Sequence, residues 1–207
     1  MEKQVSKEIY DFLRYSDEER WNSYWHQITE IIKLSPESIL EVGVGDGITG
    51  DYFKNKLGIS YTGVDVAEDL CPDIVANIEK LPFADKTYDI ACAFEVLEHL
   101  PFEKFRKSLM EMRRVSMRYV IISLPHWGRQ FSVSLRMPYF KQARWQKKFA
   151  WFAPKHIFCG QHYWEIGKKE YSLPLIIDEI KSAGFKIEKD FLAFNSPYHH
   201  FFVLKKI

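Results

Sequence analysis

The chain has 207 residues, of which 46% are hydrophobic and 28% charged, and its net charge is +1. This length and composition are typical of one globular domain with a sizeable core. No apolar run approaches the ~18 residues of a membrane-spanning helix, and the first residues lack the apolar segment of a signal peptide. The three cysteines, Cys71, Cys92 and Cys159, are far apart and lack metal-ligand spacing. We therefore expect a cytoplasmic protein without disulfides and without a bound metal.

The near-neutral total conceals a strong asymmetry of charge. No acidic residue lies between Glu111 and Glu165, and that stretch holds ten bases: Arg113, Arg114, Arg118, Arg129, Arg136, Lys141, Arg144, Lys147, Lys148 and Lys155. Taking these ten from the 29 bases leaves 19 against 28 acids, a balance of −9 for the remainder. Segregation on this scale usually concerns partners rather than fold.

Residues 1–36 are predicted to form helices that pack on the domain. Ser16 and Glu19 have the spacing of a capping box. Apolar residues then recur at helical spacing, namely Trp21, Trp25, Ile28, Ile31 and Ile32. We expect Ser35-Pro36 to end this helix.

Residues 37–125 alternate between strand and helix patterns. Short apolar runs predict strands at 39–42, 60–66, 73–76, 88–94 and 119–124, and helical spacing predicts helices at 48–57 and 102–116. The run at 88–94 is almost wholly apolar, as in a strand buried on both faces. This alternation predicts a mostly parallel, doubly wound sheet with right-handed crossovers.

The alternation stops after Pro125 and resumes near Ser172, so residues 126–170 form an insertion. An insertion after the fifth strand leaves the sheet on the side where ligands bind, and we expect it to cap the site. On a helix, Trp145, Phe149 and Phe152 would share one face and Lys141, Arg144 and Lys148 another. This pattern fits either a small lid helix with its aromatics packed inward or a surface for an anionic substrate or a membrane.

Residues 171–207 complete the sheet. Ser172 is a predicted N-cap of a helix that runs to Ala183 and stops at Gly184. Strands at 185–194 and 199–205 follow, joined by a turn at 195–197. The predicted fold is therefore α/β, with a three-layer Rossmann-like sheet that is mostly parallel, an antiparallel C-terminal hairpin strand, an N-terminal helical segment and a cap after strand five. We expect residues 1–207 to form a single domain.

The stretch from Ser38 to Gly47 combines a buried strand with three alternating glycines and a following helix. Such a turn lets the backbone approach a nucleotide-type ligand closely, next to the unpaired N–H groups of a helix start. Read from Gly45, the glycines fit the NAD fingerprint, with Asp65 twenty residues further on. However, Gly43 is the glycine that directly follows the strand, and the carboxylate of Glu41 would repel a pyrophosphate. A cofactor with cationic groups and no phosphate fits better.

The residues Ile39-Leu40-Glu41-Val42-Gly43-Val44-Gly45-Asp46-Gly47 resemble the first motif of class I methyltransferases that use S-adenosylmethionine (SAM). Four further features agree in order: Asp65 at the end of strand two, Asn77-Ile78 before Leu81-Pro82-Phe83, Tyr88-Asp89 opening strand four, and Phe94-Glu95-Val96-Leu97-Glu98-His99 after it. The last stretch resembles the small-molecule, methyltransferase type 11-like branch. The resemblance is strong over 38–124 and only topological over 172–206.

The resemblance implies a set of SAM-binding residues, in which the acidic Asp65 would hold the ribose hydroxyls and Asn77 the adenine amino group. The full set is Glu41, Gly43, Val44, Gly45, Asp65, Val66, Asn77, Ile78, Phe94 and Glu95. The family often has Asp where Asn77 stands, so an amide oxygen would serve here. The expected product of the cofactor is S-adenosylhomocysteine (SAH).

The acceptor side is less determined by the sequence. Methyl transfer from a sulfonium needs alignment above all, and a general base only for a poor nucleophile such as a hydroxyl. His126, just after strand five, is the best-placed candidate base, and His99, His156 and His162 compete with it. We expect the acceptor pocket to include His99, His126, Trp127, His162, Tyr163 and Trp164.

The leading hypothesis is a methyltransferase acting on a small or lipid-like, anionic acceptor, with peripheral membrane contact through the insertion. Two alternatives stay open: a nucleic-acid methyltransferase that uses the basic insertion to hold phosphates, and a non-catalytic SAM-binding module. No Asn-Pro-Pro-Tyr motif follows strand four, and the similar Asn195-Ser196-Pro197-Tyr198 lies in the last hairpin. Nucleic acid is therefore the less favoured partner.

Overall fold

A seven-stranded sheet with helices on both faces organises the chain. The computed structural model describes residues 7–158 and 160–207, so the expectation for Cys159 lies outside the described residues. Cys71 and Cys92 are free thiols. The helices are α1 (Phe12–Tyr15), α2 (Glu18–Ile32), α3 (Ile48–Asp51), α4 (Phe105–Val115) and α5 (Leu173–Ser182). The strands are β1 (Ser38–Val42), β2 (Ser60–Asp65), β3 (Ile74–Val75), β4 (Tyr88–Phe94), β5 (Ser116–Pro125), β6 (Arg129–Leu135), β7 (Ala143–Phe149), β8 (Phe185–Ala193) and β9 (Ser196–Lys206).

The strand order of the main sheet is β3-β2-β1-β4-β5-β9-β8. The first five strands are parallel, and β9 runs antiparallel to both β5 and β8. The predicted antiparallel strand is confirmed, although it lies one place in from the edge, because β8 forms the edge itself. Since β1 and β4 are central and parallel, the turns that follow them open at the same edge of the sheet.

The core has two parts, one on each face of the sheet. Alternate residues of β1 point to opposite faces, so Leu40 joins the cluster that α4 and α5 cover, whereas Ile39 joins the cluster that includes Ile31 of α2 and Phe53. Trp164, from the end of the insertion, is fully buried in the first cluster. The predicted three-layer arrangement is thereby confirmed.

Helix α2 forms as predicted but starts at a different cap and buries a different face. Asp17, rather than Ser16, is the N-cap, and its carboxylate accepts a hydrogen bond from Arg20 N at 2.7 Å. Trp21 and Trp25 are exposed, because α2 turns a largely polar face to the sheet. Buried Glu30 on that face accepts a hydrogen bond from Lys189 of β8 at 2.8 Å. Because polar contacts such as this one hold the helix on the sheet, the spacing of the apolar residues did not predict which face of α2 is packed.

The helix predicted at 48–57 is shorter and wider than an ordinary α-helix. After the single turn of α3, Tyr52–Lys56 continue as a π-helical turn, in which Leu57 N donates to Tyr52 O at 3.2 Å. Likewise, a 3₁₀ turn at Phe102–Lys104 precedes α4 within the helix predicted at 102–116.

The insertion contains a β-hairpin, whereas one of the two interpretations of its sequence was a lid helix. Strands β6 and β7 pair antiparallel from Arg129↔Phe149 to Leu135↔Ala143. Trp145 is 54% exposed, so the aromatics are not packed inward. The spacing of Trp145 and Phe149 suits a helix, but two residues four apart also share one face of a strand. The prediction of a helix was wrong for this reason.

The hairpin is fastened over the carboxyl edge of the main sheet. Lys148 Nζ donates to the carbonyls of His126 and Pro197, the latter at 2.6 Å, and Gln146 Nε2 donates to Leu192 O at 2.6 Å. Beyond the hairpin the chain returns along β5, where Trp127 N donates to Ile166 O at 2.8 Å. This return brings residues 161–165 next to the turn after β4. Within the described ranges, no helix combines the length and apolarity needed to cross a membrane.

Candidate active site

A cavity of about 350 Å³ opens at the carboxyl ends of β1, β2 and β4. Seven of the ten residues predicted to bind the cofactor lie on its wall: Gly43, Gly45, Asp65, Val66, Ile78, Phe94 and Glu95. Two residues predicted for the acceptor, His99 and His162, line the same cavity. The structure therefore brings most of the predicted cofactor residues and two of the six predicted acceptor residues into one cavity.

The turn after β1 requires glycine at its first position. Gly43 has φ +85°, and a Cβ added there would lie 2.3 Å from Cγ2 of Val96. Only glycine lets this backbone pack against the turn after β4 while it faces the cavity. The next residue, Val44, is buried and lies outside the cavity lining. Its predicted role therefore reduces to its backbone N–H, which donates to Asp65 Oδ2 at 3.0 Å.

Asp65 is held at the end of β2 by backbone donors. In addition to the bond from Val44 N, Asp65 Oδ1 accepts from Ala67 N at 2.9 Å. Burial raises the pKa of this carboxyl, while the backbone hydrogen bonds act against the shift. Each oxygen keeps acceptor capacity, so the carboxylate can bind a pair of hydroxyl groups in the cavity.

Glu41 lies in the interior and away from the cavity wall, contrary to its predicted contact with the cofactor. It is 2% exposed, and its carboxylate accepts hydrogen bonds from Thr49 Oγ1 at 2.9 Å and Tyr61 Oη at 2.5 Å. Burial, reinforced by the negative charges of Asp46 and Asp65, raises its pKa to about 7. The side chain joins the start of α3 to β2, so its direct role is to position the glycine turn.

Asn77 also differs from its predicted role. Its Oδ1 accepts from Glu79 N at 3.0 Å, and its side chain does not line the cavity, whereas the flanking Ala76 and Ile78 do. An Asn side chain readily caps the backbone two residues ahead. The apolar neighbours, rather than the amide, therefore face the space where an adenine would lie.

The turn after β4 contributes a cluster of buried acids. Glu95 has φ +54°, lines the cavity, and accepts a hydrogen bond from Ser123 Oγ at 2.7 Å. Burial raises the pKa of Glu95 to about 7. Glu98 is 0% exposed, and neither carboxylate oxygen has a hydrogen-bond partner among the described residues. Burial and the neighbouring charge of Glu95 hold the pKa of Glu98 well above its usual range.

Residues 161–165 face this acidic cluster. His162 Nδ1 lies 3.2 Å from Glu165 Oε1, and its Nε2 lies 4.0 Å from Glu98 Oε1. His99 Nδ1 is 3.0 Å from the carbonyl oxygen of Gln161. The two imidazole rings pack edge to face with centroids 5.0 Å apart. Acid–imidazole pairs therefore form one wall of the cavity.

His126, the predicted base, lies outside the cavity lining. It is 8% exposed, and its Nδ1 lies 2.8 Å from Nδ1 of His200 in a stacked pair. Burial and the nearby charge of Lys148 lower its pKa to about 3. A histidine enclosed in this way does not reach an acceptor in the cavity.

Three predicted aromatic contacts of the acceptor are also corrected. Trp164 is fully buried between Phe102 and Phe105, and its Nε1 donates to Leu100 O at 3.0 Å, so it belongs to the core. Tyr163 packs against Phe158, with ring centroids 4.5 Å apart, and Trp127 lies under Lys168. None of the three lines the cavity. These aromatic side chains pack against other residues of the protein and do not form a binding pocket.

Sequence reasoning missed the wall that the N-terminal segment supplies. Tyr10, Tyr15 and Arg20 line the cavity, as do Gln161 and Tyr198. Arg20 stacks over Tyr15, with its guanidinium carbon 4.4 Å from the ring centroid. Tyr24 of the same segment donates to Asp46 of the glycine turn. No local pattern signals such contacts, because the partners are distant in sequence.

The strand order, the glycine turn and the acid ending β2 together define the class I SAM-dependent methyltransferase fold, and the resemblance seen in the sequence is confirmed. Residues 40–118 match the family model described as "Methyltransferase domain". No curated protein matches the chain significantly.

Solved structures of similar fold cover most of the chain. The magnesium protoporphyrin IX methyltransferase of Synechocystis PCC 6803, solved with bound SAH, aligns over 100% of this chain and 90% of its own, with 14% identity and a TM-score of 0.63. The 1,6-didemethyltoxoflavin-N1-methyltransferase of Burkholderia thailandensis, solved with that compound and SAH, aligns over 89% and 76%, with 14% identity and a TM-score of 0.60. A SAM-dependent methyltransferase of Aquifex aeolicus aligns over 92% and 94%, with 15% identity and a TM-score of 0.59.

Proposed function

We propose that the chain is a single-domain, cytoplasmic enzyme that transfers a methyl group from SAM to a small-molecule acceptor. One observation carries this proposal. The glycine turn and Asp65 line the same cavity as His99, His162 and Tyr198, so cofactor and acceptor would share one enclosed space. The similar structures of a 1,6-didemethyltoxoflavin and a magnesium protoporphyrin IX methyltransferase, which hold SAH, support the choice of cofactor and of a small-molecule acceptor.

The lining residues suggest how the cofactor would be oriented in the cavity. Asp65 would accept hydrogen bonds from the ribose hydroxyls, and Val66 and Ile78 would flank the adenine. Gly43 and Gly45 would let the backbone approach the methionine portion, with Phe94 and Glu95 opposite. Arg20 is the only Lys or Arg side chain among the described lining residues, so it would pair with the methionine carboxylate.

Methyl transfer requires mainly that the acceptor atom be aligned with the methyl carbon and sulfur of SAM. The acceptor atom attacks the methyl carbon in line with the sulfonium, and the electron pair of the broken bond returns to sulfur, giving neutral SAH. Holding the two reactants in this geometry can supply up to roughly 7–11 kcal/mol of barrier reduction. The protein contributes orientation and exclusion of water, while the cofactor contributes the electrophile.

Calorimetry with SAH tests the cofactor site directly. The wild-type chain should bind SAH, and labelled SAM should transfer its methyl group to a component of a cell extract. Absence of SAH binding would refute the proposal. Tight SAH binding without any transfer would instead favour the non-catalytic binding module.

We also propose a lipid-like, anionic acceptor reached through peripheral contact of the hairpin with a membrane. Phe131, Val133 and Leu135 alternate along β6 and are all exposed on one face, together with Trp145 across the pair. An exposed apolar face bordered by bases such as Lys147 is typical of interfacial surfaces.

Vesicle sedimentation tests this surface. The chain should sediment with vesicles containing phosphatidylglycerol and less with neutral vesicles, and Trp145→Ser should weaken the association, whereas Trp21→Ser on α2 should not. Equal behaviour of both variants, or salt-sensitive binding to single-stranded RNA in place of vesicles, would contradict a membrane role.

A further inference from the structure

Three metal-ligating side chains converge on the wall of the cavity. One ligand atom each from Glu98, His99 and His162 lies within 4.8 Å of the others. Ligand atoms around an ion bound at ~2.1 Å are about 3.4 Å apart, so shifts of about 1 Å would bring these three into coordination. His99 and His162 belong to the cavity lining, which gives an ion at this place access to the acceptor.

The carboxylate of Glu98 is the strongest sign that a cation belongs here. Glu98 is fully buried, and both of its oxygens lack a hydrogen-bond partner among the described residues. The second oxygen of Glu95, in the same turn, also lacks one. A buried carboxyl group that accepts no hydrogen bonds either stays protonated or is compensated by a cation or a metal.

Neighbouring acceptors orient both imidazoles for coordination. Glu165 Oε1 lies 3.2 Å from His162 Nδ1, and the carbonyl of Gln161 lies 3.0 Å from His99 Nδ1. When Nδ1 of an imidazole donates to such a group, the lone pair is on Nε2, and this arrangement is typical of metal-binding histidines. Nε2 of His162 is the atom that faces Glu98.

We propose that Glu98, His99 and His162 bind a divalent first-row transition-metal ion at the wall of the cavity. Two imidazoles and a carboxylate suit ions such as Mn²⁺, Fe²⁺, Co²⁺ or Zn²⁺ better than Mg²⁺ or Ca²⁺, which prefer oxygen ligands throughout. The site departs from the sequence-based expectation of no metal. That expectation considered cysteine spacing, whereas His162 reaches the pair at 98–99 only through the fold.

The role of the ion rests on the proposed function. A hydroxyl oxygen of the acceptor would take an open coordination position, where its pKa falls. Its proton leaves to solvent water, the oxygen forms the bond to the methyl carbon, and the carbon–sulfur bond breaks with its electron pair going to sulfur. The metal site would thereby activate the acceptor hydroxyl, a task that the enclosed His126 does not perform. This role favours oxygen as the acceptor atom.

Metal binding by the purified full chain tests the site without any acceptor. After treatment with a chelator, titration with Co²⁺ should give visible absorption that saturates at one ion per chain, and Mn²⁺ or Zn²⁺ should raise the melting temperature. Glu98→Gln and His162→Gln should each weaken Co²⁺ binding at least tenfold. His26→Gln, on α2 and against Phe191, serves as the matched control and should bind like the wild type.

SAH binding, measured on the same samples, separates this proposal from the proposed function. Variants that keep SAH affinity but lose Co²⁺ support the site. A wild-type chain that binds no Co²⁺, or substitutions at 98 and 162 that leave its affinity unchanged, would overturn the metal site whatever the outcome with SAH. Failure of SAH binding alone would refute the methyltransferase and leave the metal site standing.

Discussion

Replacement of Asp65 is the sharpest test of the cofactor geometry. Its two carboxylate oxygens are oriented by Val44 N and Ala67 N and keep capacity for the two ribose hydroxyls. A hydrogen bond to a charged group contributes ~1.5–3 kcal/mol, so loss of two should cost at least about 3 kcal/mol, or roughly 100-fold in SAH affinity. Asp65→Asn should lose nearly as much, because an amide NH₂ would face one of the two backbone donors.

Isothermal titration calorimetry with SAH measures this loss, with thermal melting to verify the fold. Asp51→Asn is the matched control, since Asp51 lies on α3, exposed, and accepts a hydrogen bond from Asn55 at 2.6 Å. The control should bind SAH like the wild type. Affinity of Asp65→Ala within threefold of the wild type would show that the carboxylate does not hold the ribose.

Three further predictions concern folding. Gly43→Ala should abolish SAH binding and lower the melting temperature. Gly58 also has a positive φ, +64°, but a Cβ added there meets nothing within 4 Å, so Gly58→Ala should lower the stability and leave SAH binding unchanged. Burial lowers the pKa of His199 to about 3, so between about pH 6.5 and 3 the unfolded chain binds more protons. Between pH 7.5 and pH 5, urea unfolding should therefore show that the wild type loses about 2 kcal/mol more stability than His199→Gln does; equal losses would contradict this. Trp164→Ala should destabilise by ~3–5 kcal/mol and Trp145→Ala by less than about 0.5, and similar values would refute the core assignment.

The cofactor-binding half was predictable because its signals are local. A buried parallel strand is apolar throughout, and the glycine at position 43 has no tolerated substitute, so both leave direct traces in the sequence. The strand at 88–94 was predicted with the bounds that the structure shows. The alternation of strands and helices predicted a mostly parallel sheet, whereas the order of its strands came from the structure.

The insertion was less predictable because its spacings are ambiguous. Residues four apart share a face in a helix and also in a strand, so the pair at 145 and 149 did not discriminate. The alternation of Phe131, Val133 and Leu135 did favour a strand, and it was the better signal. Trp164 was also hard to place from the sequence, because an aromatic residue in an insertion can pack in the core or line a pocket.

Glu41 disfavours a pyrophosphate cofactor although its side chain does not line the cavity. Its carboxylate argued against a pyrophosphate, yet it lies in the interior with Thr49 and Tyr61. Its burial with a pKa near 7 leaves part of a negative charge below the glycine turn at neutral pH. The field of that charge still disfavours phosphate at the turn, although no atom of Glu41 lines the cavity.

The acceptor wall combines segments that are far apart in the chain, and this decides where specificity can arise. Tyr10 and Tyr15 come from the N-terminal segment, His162 from the end of the insertion and Tyr198 from the start of β9. Lys148 links the hairpin to the carbonyl of Pro197, adjacent to Tyr198. Because none of these segments belongs to the cofactor-binding core, acceptor choice can change with them while the glycine turn and Asp65 stay fixed. Under the proposed function, the core would determine which methyl donor fits, and the contacts between these outer segments would determine which acceptor reaches it.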